Sequence, residues 1–296
     1  MRLSTVILPT YRWTEGRSIW RRAEDLGFHS GYTYDHLSWQ SFRDRTWFGA
    51  VPTLVAAASV TDRLRIGPLV TSPNFRHPVT VAKELMSLDD ISGGRLTVGI
   101  GAGGTGFDAS VLGQLPWSPD ERADRFDEFV VLLDKLLTQP ATTEEGRHYA
   151  AVEARMIPGC VQKPRAPFII AATGRRGFEL AAEFGTGWVT FGNPRSPGDG
   201  SVEPVSEAVR AQLDGLEAAC AEQGRDFDSV DKVVLQGLTA ERPLASLDAF
   251  VDWAGRYQQL GITDVVVHWP IADSVFATDP DVFERIATEG LAQLGA

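Results

Sequence analysis

The stretch 65–104, RIGPLVTSPNFRHPVTVAKELMSLDDISGGRLTVGIGAGG, carries a complete strand–helix–strand unit. Its first residues, to Val70, are a short apolar run, and Ser72-Pro73-Asn74 break it with turn residues. Pro78 then suits a first helical turn, where its fixed φ helps and its missing N–H is not needed. Apolar residues recur at three- and four-residue spacing until Gly93-Gly94 stop the helix. A second run, RLTVGI (95–100), follows at once. Two strands joined by a crossover helix predict parallel pairing.

The same alternation extends in both directions. The other strand candidates are 3–8, 29–34, 167–172, 187–191, 232–238 and 264–269, which makes eight in all. Helical spacing fills the intervals: RSIWRRAEDLG ends at a capping Gly27, and DERADRFDEFVVLLDKLL has acids first and Lys135 near its end, matching the helix dipole. Eight strands alternating with helices predict an α/β fold, one closed (β/α)8 TIM barrel over residues 1–296. A doubly wound open sheet is the competing arrangement. The irregular stretches 139–166 and 192–203 read as long loops inserted at the barrel's C-terminal face.

Composition narrows the function. An apolar content of 43% with 23% charged residues predicts a globular chain with a sizeable core. The net charge of −11 and the lack of a dense Lys/Arg run argue against a nucleic-acid partner. No apolar run reaches membrane-spanning length, so no membrane association is expected and the cytoplasm is the expected compartment. Cys160 and Cys220 suggest two free thiols.

Active sites of such barrels lie where strands end in loops. Strand two ends in YTYDHLSW (32–39), which delivers Asp35, His36 and Trp39. Asp35-His36 with His268 would be a minimal metal set, but no spacing typical of metal ligands supports it, and no metal is expected. Strand four ends in Gly101-x-Gly103-x-x-Gly106, a formal dinucleotide fingerprint that does not open into a helix as such a site requires. The turn Thr173-Gly174-Arg175-Arg176 is the better anion candidate: Thr173 can cap the next helix, whose N-terminus carries partial positive charge. Arg76-His77 is open between a loop anchor and a ligand group. Aromatics at several strand ends, Trp13, Trp39, Phe191 and Trp269, predict apolar walls for a flat ligand and a small-molecule substrate.

Taken together, YDHL (34–37), the 65–104 unit, KPRAPFIIAATGRRGFELAAEFGTGW (163–188) and LGITDVVVH (260–268) resemble the bacterial luciferase-like flavin-dependent oxidoreductases, with the nearest likeness to the branch using the deazaflavin coenzyme F420. The resemblance implies a TIM barrel, reduced F420 (or alternatively FMN) as cofactor, a homodimer, and a partner enzyme that reduces the cofactor. It places Asp35 and His36 beside the redox face of the ring, and the candidate catalytic residues are His36, Asp35 and Trp39. It implies a non-proline cis peptide at Leu69–Val70 behind the ring, with Ser72 nearby. Gly101, Gly103 and Gly104 would flank the ring, and Thr173 to Arg176 would hold the tail phosphate. The sugar-phosphate dehydrogenases of that branch have an acid just after the strand-four glycines; here Gly104-Thr105-Gly106 stands there and Asp108 lies further on. The implied reaction is hydride transfer to an activated C=C or C=N bond. The competing readings are an FMN-dependent monooxygenase, a metal-dependent barrel hydrolase and a non-catalytic flavin-binding protein.

Overall fold

All eight expected strands lie in one parallel sheet. The structure is a computed structural model that describes residues 1–104, 106–192 and 205–295. Strands β1 (Arg2–Val6), β2 (Ser30–Thr33), β3 (Arg65–Pro68) and β4 (Val98–Gly101) alternate with α1 (Trp13–Asp25), α2 (Ala50–Ala58) and α3 (Pro78–Ile91). After β4 come α4 (Phe107–Val111), α5 (Pro119–Thr138) and a hairpin of β5 (Ala141–Glu145) with β6 (Ala150–Arg155). The barrel resumes with β7 (Phe168–Ala171), α6 (Arg175–Phe184), β8 (Gly187–Thr190) and α7 (Val205–Glu222). It closes with β9 (Asp231–Leu235), α8 (Leu247–Gln259), β10 (Asp264–His268) and α9 (Pro280–Glu289).

The strand order is β3-β2-β1-β10-β9-β8-β7-β4, so β3 and β4 are the two ends that must meet. They do so through two isolated parallel bridges, Ile66↔Leu96 and Thr71↔Ile100. The seam is tight. A Cβ on Gly67 would lie 1.7 Å from the Thr97 carbonyl oxygen, and one on Gly99 would lie 2.6 Å from that of Pro68. Pro68 also has no N–H to give to a ladder, which leaves this seam as bridges. The Leu69–Val70 peptide, just past β3, is cis.

Alternation along each strand builds two apolar layers. Val6, Tyr32, Ile169, Val189, Val233 and Val266 fill the barrel interior. Their neighbours Ile66, Val98, Ile170, Val265 and Val267 face the helices. The run Asp264–His268 therefore turns Asp264, Val266 and His268 to one side.

Two expectations need correction. The segment 139–166 is not loop throughout, because it holds the antiparallel hairpin β5–β6. That hairpin lies outside the barrel, and only Thr142 and Ala151 of its strands are buried, so it lacks the apolar run that marks a barrel strand. Its turn is held by Glu128 of α5, whose carboxylate accepts from the His148 and Tyr149 N–H groups. Helix α2 was not among the expected helices; its Pro52 falls in the first turn, where no N–H is bonded and proline is harmless. The expected loop at 192–203 lies outside the described residues from Asn193 onward.

Candidate active site

Asp35 and His36 leave β2 together and go to different partners. Asp35 is 3% exposed and accepts from Thr71 Oγ1 at 2.7 Å. Arg76 grips it with both Nε (3.1 Å) and Nη2 (2.7 Å), and the same guanidinium reaches Glu84 on α3 at 3.1 Å. This carboxylate accepts three hydrogen bonds and ties the β2 loop to the β3 loop.

His36 turns the other way. Its Nδ1 lies 2.9 Å from Asp108 Oδ2, and the Leu37 N–H donates to Asp108 Oδ1 at 2.7 Å. Asn74 Nδ2 adds a third bond to Asp108 Oδ2 at 3.2 Å. Burial would raise the Asp108 carboxyl, yet these three donors outweigh it and hold it below the usual aspartate range. An ionised Asp108 accepts only, so Nδ1 carries the proton and Nε2 is the nitrogen left for a ligand. Asn74 reaches Asp108 by crossing the glycine turn after β4. A Cβ on Gly103 would fall 2.1 Å from Asn74 Oδ1, and Gly103 has φ +82°.

His36 lines a cavity of about 1050 Å³ at the C-terminal mouth of the barrel, together with Tyr34, Trp39, Leu69 and Val70. Its far wall is Ala171, Val189, Thr190 and Phe191, and it runs on to Glu241 and Arg256. Trp39 is wedged against Tyr34 (centroids 5.3 Å apart) and stacks on Phe276 (5.8 Å). Glu241 accepts from Trp253 Nε1, Tyr257 O–H and Arg256, so this end of the cavity is a closed polar cluster.

The comparisons can now be set beside this geometry. Residues 2–257 match the family described as luciferase-like monooxygenase. The chain belongs to the luciferase-like monooxygenase family. It is 30% identical to 4-hydroxyprotoasukamycin monooxygenase of Streptomyces nodosus subsp. asukaensis over 82% of this chain and 65% of that protein. It is also 30% identical to the F420-dependent glucose-6-phosphate dehydrogenase of Beutenbergia cavernae, over 86% of this chain and 74% of that one. In fold it resembles the coenzyme F420-dependent tetrahydromethanopterin reductase from Methanopyrus kandleri, with a TM-score of 0.76 at 18% identity over 99% of this chain and all of that one.

Within this luciferase-like fold the expected site residues are scattered more than the sequence suggested. His36, Trp39, Leu69, Val70 and Phe191 meet at the cavity. Gly101 is buried beside it, where a Cβ would meet Val70 Cγ2 at 2.8 Å; Gly104 is exposed. Ser72 is 1% exposed and its hydroxyl has no partner. Trp269 does not line the cavity: it packs on Phe28 and Phe283 between the sheet and α9. Trp13 sits 39% exposed at the start of α1 and is not among the lining residues. The position after β10 points outward because it follows His268, which points in.

The α6 turn also differs in detail. Gly174, not Thr173, is the N-cap, and no side chain caps the helix, so its first N–H groups are open. Arg175 pairs with Glu179 and Glu222 on the surface, and Arg176 bonds Asp124 and Asp127 of α5. Both arginines are paired with surface acids here, and the turn also presents open backbone N–H groups. The trio Asp35, His36 and His268 does not assemble, since Asp35 is taken by Arg76 and His268 Nε2 by Tyr34. His77 is a helix cap, accepting the Val79 N–H at 3.2 Å. Asp108, Asn74 and Tyr34 were not singled out as site residues, and His268 was weighed only as a metal ligand. Only the acid displaced beyond the strand-four glycines hinted at Asp108.

Proposed function

We propose that this protein is an F420-dependent oxidoreductase that moves a hydride between the reduced deazaflavin and a small organic substrate with an activated C=C or C=N bond. The observation that carries the reading is the His36–Asp108 pair at the wall of an otherwise apolar cavity. The residues fit a large planar cofactor: the cavity exceeds the need of one ring system, Leu69, Val70, Ala171 and Val189 give flat apolar contact, and the α6 N-terminus opens four residues after Ala171. A Cβ on Gly174 would meet nothing within 4 Å, so the space before these N–H groups is free for a phosphate. When bound, the deazaflavin supplies two-electron hydride chemistry; the protein supplies orientation and a dry pocket.

The chain's own part is proton management and placement. Asp108 holds His36 in the Nδ1–H tautomer and fixes its plane, leaving Nε2 to bind or exchange a proton at the substrate atom beside the reacting carbon. Trp39 and Phe191 exclude water from that place. The reading includes a homodimer and a separate enzyme that supplies reduced cofactor; sedimentation velocity measures the first.

A second reading, FMN-dependent monooxygenation, is favoured by the similarity to 4-hydroxyprotoasukamycin monooxygenase. Titration of the apo protein with each cofactor separates the two. F420 is expected to bind more tightly than FMN; tight FMN binding with no response to F420 sinks the deazaflavin reading.

A further inference from the structure

The far wall of the cavity ends on Phe191, which is 43% exposed and so gains little from core packing to fix its place. What fixes it lies on either side. Thr190, 3% exposed, donates its hydroxyl hydrogen to Gln212 Oε1 of α7 at 2.6 Å and accepts the Gly192 N–H at 2.9 Å. Gln212 Nε2 donates to the Gly192 carbonyl at 2.8 Å. A carbonyl can only accept, so Gly192 takes the amide nitrogen, and Oε1 is thereby turned to Thr190. Phe191 sits between the two residues that this amide ties together.

Helix α7 does not need this amide for packing. Its other buried residues, from Val205 to Cys220, are aliphatic or a thiol, and a leucine at 212 would continue that row. Burying an amide is costly unless its polar atoms find partners, and here both ends do. Two close backbone approaches support the arrangement. A Cβ on Gly192, whose φ is +83°, would fall 2.5 Å from Val205 Cγ1, so the end of β8 is pressed on the start of α7. A Cβ on Gly237 would stand 3.2 Å from both Cβ and Cδ2 of Phe191, so this side chain lies against the backbone after β9.

We propose that Gln212 is a positioning residue: through Thr190 and Gly192 it keeps the Phe191 ring in the cavity wall, where the ring packs on the flat apolar body of the bound molecule. The assignment rests on the oxidoreductase reading only in calling that molecule the substrate. Gln212 is not among the residues that line the cavity, so its effect on binding passes through Phe191. Leucine at 212 would fill a similar volume yet leave the Thr190 hydroxyl hydrogen and the Gly192 carbonyl without this partner. The turn that carries Phe191 would then lose its fixed direction.

The test is a double-mutant cycle on the full chain with N-phenyl-1-naphthylamine, a neutral apolar fluorophore whose emission rises when it leaves water. Its affinity is measured for the wild type, Gln212→Leu, Phe191→Ala and the double variant. Each single variant is expected to bind the probe about fivefold more weakly, the size of one aromatic packing contact. The double variant is expected to bind no more weakly than Phe191→Ala alone, because Gln212 then has no ring to position. A purely structural role of Gln212 would persist without the ring. Losses that add in the double variant, wild-type affinity in either single variant, or no probe binding by the wild type would each overturn the proposal. If Gln212→Leu does not fold, Thr190→Val takes its place in the cycle, since it removes the hydroxyl that Gln212 and Gly192 share. A wild-type F420 titration run alongside keeps the two readings apart: failure there sinks the cofactor assignment, whereas the cycle bears on Gln212 alone.

Discussion

The two ends of the barrel each bury an aspartate, and the two carboxyls behave in opposite ways. At the C-terminal mouth Asp108 is 1% exposed, receives three hydrogen bonds and titrates below the usual range. At the opposite end Asp264 is 2% exposed, and burial pushes it up to about 7 despite Arg2 and Ser4. Its Oδ1 has no partner, Ser4 Oγ donates to Oδ2 at 3.1 Å, and Arg2 Nε stands 3.5 Å away while the guanidinium bonds Asp231. Similar surface exposure thus accompanies one carboxyl held below the usual range and one pushed well above it. Asp264 lies deeper and meets fewer donors, whereas three donors converge on Asp108 at the cavity mouth.

Breaking the mouth should have the largest effect. His36→Ala is expected to slow hydride transfer by roughly 10²–10⁴ while cofactor affinity changes little; unchanged single-turnover rates would remove His36 from the mechanism. Asp108→Asn keeps the shape but no longer demands Nδ1–H. It is expected to cost about tenfold to a hundredfold in rate and to shift the pH–rate profile, a shift that a purely structural role would not produce.

The pair beside the site sharpens the contrast. Asp35→Ala leaves Arg76, with its side chain 17% exposed, short of its main partner and should destabilise the fold by about 3–5 kcal/mol in urea unfolding. A loss under 1 kcal/mol would show that Glu84 and water replace Asp35. Gly103→Ala is expected to cost about 1–3 kcal/mol, because φ +82° disfavours a side chain and the new Cβ would displace Asn74. Stability equal to wild type would mean that the turn relaxes.

At the other end the effect is smaller and depends on pH. The Asp264 pKa is raised on folding, so the unfolded chain releases this proton near pH 4 and the folded chain near pH 7. Its stabilising contribution is full below pH 4 and declines as pH rises to 7. Asp264→Asn should therefore gain on the wild type between pH 5 and pH 8, read from urea midpoints. Parallel midpoints across that range would mean an ionised Asp264.

Much of the barrel was legible because its strands obey local rules. Each is a short apolar run bounded by turn residues, and several helices start or stop at punctuating residues such as Pro78 or Gly27. The β5–β6 hairpin was not, since strands outside the barrel have no need for an apolar run. Part of the candidate site was legible too: His36 and Trp39 share one strand end, and the resemblance implied the cis peptide found at Leu69–Val70. Trp269 was misplaced to the cavity because a strand end shows which residues are at the mouth but not which way the last one turns.

The sequence by itself determined the eight barrel strands and the family, because both follow from residues near one another along the chain. Tertiary structure decided which carboxylate serves His36. Asp35 is adjacent in sequence but is consumed by Arg76, and Asp108 arrives from 72 positions away on a five-residue helix. It likewise decided that Arg175 pairs with Glu179 and Arg176 with Asp124 and Asp127, and that His268 Nδ1 is buried without a partner. Hydrogen-bond partners are set by distance and direction in space, and spacing along a chain does not encode them.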